Sequence, residues 1–273
     1  MTRDTSAKLV AILRSVALSP VIAFAIACIA SIASNPIRAA DTRKSGFEYM
    51  SPATRAMQTD DSQNPAMLWV QDGEALWNRA VGAAGKSCAG CHGDAKTSMK
   101  GVAARYPSFD VPSKQPVTLS QRIDLCRTRH QKAEPLKAES EALLGIEVYV
   151  ALQSRGMPVA RNDDPRVATH IRNGEKLFRQ RIGQLDLSCA QCHDERAGEK
   201  LAGSMIPQAH PTGYPIYRLE WQGMGSLQRR LRNCLTGVRS DPYPFGAIEL
   251  TELELYLNQR AAGMPMETPA VRP

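Results

Sequence analysis

The sequence predicts an all-α protein made of two tandem units of one design. Three observations carry that prediction. The apolar segments follow a helical rather than an alternating period, the same series of residues occurs twice about a hundred positions apart, and each copy holds a Cys-x-x-Cys-His pentapeptide. With 273 residues, 43% of them apolar, the chain can give each unit its own core. Aromatic residues are only 5%, so side chains alone leave those cores short of large flat groups, and something else must fill them. The net charge of +7 falls to +4 without residues 1–40, which hold four bases and one acid; that balance is mild and no basic run interleaved with aromatics occurs, which argues against a nucleic-acid binder.

Residues 1–40 read as a secretory signal segment. Arg3, Lys8 and Arg14 precede an uncharged stretch over 15–37 that turns from Ala/Ile/Val to small residues, with the cut expected between Ala33 and Ala40. Such a stretch is also long enough for a membrane anchor, but Ser19, Pro20, Ser31 and Ser34 interrupt it. A lipid on Cys28 lacks the usual preceding Leu. The expectation is an exported chain without a stable membrane anchor, working in an oxidising compartment, the periplasm. Residues 41–63 are polar and read as an arm wrapped on the surface.

The first unit is expected over 64–158 and the second over 164–273, joined by a short polar link at 159–163. Asn64-Pro65 and Asp164-Pro165 are matching helix starts, each a capping side chain followed by a proline whose missing N–H costs nothing in the first turn. Gly73, Leu76, Trp77 and Val81 recur as Gly174, Leu177, Phe178 and Ile182, displaced by 101. The same displacement carries Cys88, Cys91 and His92 onto Cys189, Cys192 and His193. Further on, Arg122 and Cys126 match Arg230 and Cys234 at a displacement of 108, and Glu147, Gly156, Met157 and Pro158 match Glu254, Gly263, Met264 and Pro265 at 107. Each unit therefore opens with a helix and closes with an apolar helix (143–154; 248–259) stopped by Gly-Met-Pro. The middles are rich in Pro and Gly, show no period of two, and need a rigid body to wrap around.

The pentapeptides supply that body. In one helical turn two thiols three residues apart share a face and reach the two vinyl groups of one porphyrin, while the following His points at the iron. Cys88, Cys91, Cys189 and Cys192 thus read as attachment points for two covalent haem c groups, with His92 and His193 as iron ligands. A dithiol or half a zinc site would use the cysteine pairs but leave the His and the repetition unexplained. The units read as cytochrome c-like.

The far face of each iron is open to several readings. Met157 and Met264 follow the last helix, where end-capping beside Gly is the stronger reading. Cys126 and Cys234 lie before it, each four residues after an Arg on an expected helical turn (119–130; 226–235), and suggest thiolate ligands. They could instead form a disulfide, and His130 is a rival ligand for the first haem. His170 and His210, each in one unit only, read as surface or packing residues. Arg230 stands one turn from Cys234, where a fixed guanidinium lowers a thiol's pKa and offers a fork to an oxyanion such as sulfate or thiosulfate.

The stretch 45–52, the run 64–77, both haem motifs and the Arg230–Cys234 segment resemble the SoxA family, the dihaem subunits of a thiosulfate-oxidising cytochrome complex, over nearly all of the chain beyond residue 40. The resemblance implies L-cysteine S-thiosulfotransferase activity, in which thiosulfate is joined oxidatively to a cysteine of the carrier SoxYZ and electrons leave through haem c to a cytochrome c acceptor. It implies a small monohaem partner, SoxX, in a heterodimer. By position, His92 with Cys126 and His193 with Cys234 would be the axial ligand pairs, Cys234 the catalytic cysteine, and Arg230 the substrate-binding residue. The competing readings are a dihaem electron carrier without a substrate of its own, and a dihaem peroxidase.

Overall fold

Backbone order follows the duplication. The computed structural model describes residues 41–273; the expected signal segment and its cleavage point lie outside the described residues. Residues 41–63 are more structured than a polar surface arm. Ser45 accepts from the Phe47 N–H to start a 3-10 turn at Gly46–Tyr49, and Ser51 caps helix α1 (Pro52–Thr59), whose first residue is the proline. Met50 and Thr54 are buried, and the Gln58 side chain accepts from the Val271 N–H at 3.1 Å near the chain's far end. Sequence pattern missed this because the helix is two turns long and most of its surface is wet.

Helix α2 (Ala66–Asn78) begins where Asn64 accepts from the Ala66 N–H at 3.0 Å. One-turn helices follow at α3 (Cys88–His92) and α4 (Ala95–Ser98). Strands β1 (Ser108–Asp110) and β2 (Gln115–Val117) form a hairpin, then come α5 (Leu119–Cys126) and the closing helix α6 (Glu141–Leu152). The second half repeats the order. Asp164 accepts from Arg166 N–H and α7 spans Ala168–Arg179, followed by α8 (Cys189–His193) and a small ribbon of β3 (Lys200–Leu201) and β4 (Ser204–Met205). The hairpin β5 (Ile216–Arg218) and β6 (Gly223–Gly225), α9 (Leu227–Gly237), α10 (Ile248–Ala261) and β7 (Ala270–Arg272) complete it. The fold is mostly helical as expected; strands of two or three residues are too short to print a period of two. Registers Ser108↔Val117 and Ile216↔Gly225 make the two hairpins the same device displaced by 108, with β7 added parallel to β5 in the second half.

Each closing helix crosses the opening helix of its half at a glycine. A Cβ on Gly73 would meet the Gly145 carbonyl oxygen at 2.0 Å, and one on Gly174 would meet the Glu252 carbonyl oxygen at 2.0 Å, so at both crossings the backbones touch. Gly174→Ala is expected to separate α7 from α10 and cost about 1 to 3 kcal/mol as overpacking. A fall in the thermal midpoint checks this; an unchanged midpoint would show that the crossing is not tight.

The halves are tied by their Gly-Met-Pro ends. Gly156 N–H donates to Met266 O (2.8 Å), Met266 N–H to Met157 O (2.9 Å), Val159 N–H to Met264 O (2.8 Å) and Gly263 N–H to Val159 O (2.8 Å). One apolar cluster accordingly joins Trp77, Ile146 and Tyr149 of the first half to Tyr217, Met224 and Met266 of the second. Between the halves lies a cavity of about 60 Å³ whose lining includes Tyr106 with Tyr214, Leu119 with Leu227 and Glu147 with Glu254, three pairs of repeated positions. A neighbouring cavity of about 180 Å³ adds Glu139 and shares Glu147. Burial pushes the Glu147 carboxyl up to about 8 with the charge of Glu139 adding to it, and pushes Glu254 up to about 8 with Glu147 adding.

Candidate active site around Cys234

Both pentapeptides are single helical turns with capped starts. Ser87 accepts from Gly90 N–H at 2.9 Å, and Ser188 with Gln191 forms a full capping box, so the local sequence sets each turn before any cofactor arrives. In the first half the Trp77 ring lies 5.8 Å from the His92 ring, and its indole N–H donates to Gly93 O at 3.1 Å. In the second, His193 Nδ1 bonds the Pro207 carbonyl oxygen at 2.7 Å, which leaves Nε2 as the nitrogen for a metal. Burial holds the His193 imidazole below its ordinary pKa, with Arg230 and Arg260 adding to the effect against the Pro207 hydrogen bond.

The two further cysteines arrive on matching helices. Cys126 ends α5, which starts with a Thr118/Gln121 capping box, and Cys234 sits in α9, where Ser226 accepts from Arg229 N–H. Cys126 lies within electrostatic reach of Cys88 and Cys91, and Cys234 of Cys189. Each half thus gathers its cysteine pair, its His and its extra cysteine. No disulfide joins Cys126 to Cys234 or any other pair of the six cysteines among the described residues, so the disulfide alternative is set aside, and His130 is exposed on the turn beyond α5. His170 packs, its Nδ1 2.8 Å from Glu252 Oε1, and His210 Nδ1 bonds Lys44 O at 2.9 Å. Burial pushes the Cys126 thiol up against the pull of Arg122 and Arg129, and drives Cys189 up to about 11 with the charge of Cys234 adding to it.

The halves part company at the arginine. Arg122 Nη2 lies 2.7 Å from Asp110 Oδ1, and Arg129 forks onto both oxygens of the same carboxylate at 3.0 and 2.8 Å. Asp110 is only 1% exposed, and the Arg129 hydrogen bonds hold its carboxyl far below the usual range. Arg230 makes no ion pair among the described residues. Its neighbours on α9 are otherwise engaged, Arg229 over the Trp221 ring at 4.1 Å and Arg232 over Phe245 at 4.5 Å with hydrogen bonds to Tyr243 O and Pro242 O. Tyr214, half-buried within electrostatic reach of Arg230 and Cys234, has its phenol pushed up to about 12 by desolvation against the pull of Arg230. The sequence reading missed Asp110, Arg218 and Tyr214. The displacement of 108 that found Arg230 would have set Asp110 opposite Arg218 and Tyr106 opposite Tyr214.

The donor sets fit haem c. Each provides two thiols one turn apart for thioether bonds, an imidazole beside them and a thiol from another helix, an arrangement that is not gathered into a closed metal site. Among the described residues no cluster of His, Cys, Asp and Glu is packed tightly enough to hold a bare metal ion, and no helix is long and apolar enough to cross a membrane.

Known proteins agree with that reading. The cytochrome c domain model of the SoxA/TsdA family matches residues 72–159 and again 173–266. The L-cysteine S-thiosulfotransferase subunit SoxA of Pseudaminobacter salicylatoxidans is 38% identical over 85% of this chain and 82% of its own, and that of Rhodovulum sulfidophilum 33% identical over 85% and 81%. The crystal structure of SoxXA from P. pantotrophus superposes with a TM-score of 0.82 at 33% identity, covering 85% of this chain and 88% of that one. With two matches placed on the two halves, relatives aligned over most of their length and a shared fold, the chain belongs to the SoxA/TsdA family of c-type cytochromes, whose cofactor is covalent haem c.

Proposed function

We propose that this chain is the SoxA-type subunit of a periplasmic L-cysteine S-thiosulfotransferase. It joins thiosulfate to a cysteine of the carrier SoxYZ, pairs with a monohaem SoxX, and passes electrons to a cytochrome c acceptor. Its two c-type units occupy 64–158 and 164–273, with haem held at Cys88/Cys91 and Cys189/Cys192. His92 with Cys126 and His193 with Cys234 are the residues that would hold the two irons. The observation that carries the assignment of Cys234 as the reacting cysteine is the unpaired Arg230 beside it, set against Arg122, which Asp110 neutralises.

Joining thiosulfate to a thiol makes one S–S bond and releases one proton and two electrons. Covalent haem c supplies the one-electron acceptors. The protein's part is to bring a dianion to the Cys234 sulfur, and Arg230 does so from the preceding turn of α9 by a charge-assisted fork onto the sulfonate oxygens. Tyr214 flanks the site: at pH 7 its phenol stays protonated and offers a donor, never a competing anion. Pro207 keeps the His193 ring in one orientation.

Arg230→Ala is expected to lower kcat/KM for thiosulfate by about tenfold to a hundredfold, the range for a lost hydrogen bond to a charged group, with both haems retained. The assay is conjugation of thiosulfate to the carrier cysteine by the two-haem chain with its monohaem partner. Wild-type protein that passes electrons between cytochromes but conjugates nothing would leave the substrate-free electron carrier as the answer.

A further inference from the structure

The Asp110 carboxylate marks a strand position that faces the arginine of the cysteine helix. It is the last residue of β1, paired with Gln115, and its oxygen reaches Arg122 at 2.7 Å. The position displaced by 108 is Arg218, last residue of β5 and paired with Gly223 in the same register. Where the first half has a carboxylate the second has a guanidinium. Arg218 has a side chain only 12% exposed and lies within electrostatic reach of Arg230, Tyr214 and Cys234. Two guanidinium groups are therefore within electrostatic reach of each other beside one cysteine, Arg218 largely withdrawn from water and Arg230 half-buried one turn before Cys234 on α9.

Such a pair repels itself unless an anion lies between. The counter-charge from side chains among the described residues is thin: Arg218 Nη2 meets Glu220 Oε2 at 2.8 Å, but that carboxylate is 63% exposed, and a wet ion pair contributes little. Arg218 Nε donates to Pro273 O at 2.8 Å and its guanidinium lies 5.1 Å from the centre of the Trp221 ring, so the side chain is held in place. A held Arg218 near an Arg230 that has no ion pair among the described residues suits a compact dianion, one guanidinium per charge.

We propose that Arg218 is a second substrate-binding residue of the Cys234 site, gripping thiosulfate jointly with Arg230, and that Asp110 fills the corresponding seat in the first half and so keeps Cys126 from receiving substrate. This rests on the thiosulfate reading of the Cys234 site and extends it to a residue outside α9. It also explains why two halves of one design differ in chemistry: the first carries its own anion, and the second takes one from solution.

The test uses the two-haem chain with its monohaem partner, thiosulfate as the probe, and two readouts: equilibrium binding by calorimetry and the split of KM from kcat in conjugation. Arg218→Gln is expected to weaken binding and raise KM about tenfold to a hundredfold with kcat changed less than about threefold. Arg218→Asp writes the first half's arrangement into the second, pairs internally with Arg230, and is expected to bring thiosulfate binding below detection. Arg218→Lys, which keeps the charge on a less rigid stem, should bind better than the Gln variant. Haem content and thermal midpoint report whether each variant is folded. Thiosulfate bound equally by the wild type and the Gln variant, or no better by the Lys than by the Gln variant, would overturn the role of Arg218 while leaving the enzyme reading intact. A wild type that neither binds nor conjugates thiosulfate would remove both.

Discussion

Cys234→Ala is expected to abolish thiosulfate conjugation, a loss of at least about a thousandfold, while haem stays covalently attached at both sites. The size follows from removing the group on which the S–S chemistry turns, which no neighbouring residue replaces, rather than one of several contacts. Cys126→Ala is expected to retain conjugation, because the adjacent Arg122 is occupied by Asp110. The two variants share a class of substitution and differ only in which half is altered, so each is the other's control. Intact mass and the haem absorbance of each protein establish that attachment survives. A folded Cys234→Ala protein conjugating near the normal rate would refute the assignment.

Stability is expected to fall as pH rises from about 5 to 7, and Glu254→Gln to remove much of that fall. Glu147 and Glu254 lie between the halves; the unfolded chain releases their protons near the ordinary 4.5, whereas burial pushes both carboxyls up to about 8 in the native fold. Between those values the native state binds more protons than the unfolded one, so the free energy of unfolding decreases with pH, by about 1.4 kcal/mol per pH unit for each proton retained. The pair faces Glu139, Asp124, Tyr106 and Tyr214, and no lysine, arginine or histidine lines either cavity, so no local cation offsets the charge. Over two pH units the wild type should lose about 2 to 3 kcal/mol more than the Gln variant. Denaturant unfolding at pH 5 and 7, followed by haem absorbance and circular dichroism, gives the comparison; parallel losses in the two proteins would place the protons elsewhere.

The helices, the duplication and the haem turns were legible because each is written in local pattern: caps, glycines at crossings, and the fixed spacing of Cys and His. Gly73 and Gly174 stood out at one displacement, and the structure supplies the reason in the carbonyl oxygens they touch. The hairpins were not legible, since three residues cannot display a period and Pro116 masks one of the strands. Helix α1 was missed because its cap, Ser51-Pro52, lay in a polar stretch without a repeated partner. The charge logic of the site was half legible. Arg230 announces itself by standing one turn from a cysteine, but Asp110 acts from a strand on a helix further along the chain, and no local rule connects them. Only laying one half over the other, residue by residue, exposes the exchange of carboxylate for guanidinium.

The ladder between the two Gly-Met-Pro segments is self-complementary: Gly156 reaches across to Met266 while Gly263 and Met264 reach back to Val159, so equivalent stretches serve as each other's partner. That is the hallmark of an isologous contact, the kind that builds a two-fold dimer from identical subunits with one patch of surface. The chain has the anatomy of such a dimer with its subunits covalently fused. Fusion frees the protomers from identity, because a substitution in one no longer appears in the other. An identical pair would have had to carry either the carboxylate or the guanidinium at both strand ends. Here one protomer keeps Asp110 and the other Arg218, and the asymmetry is inherited as a single chain.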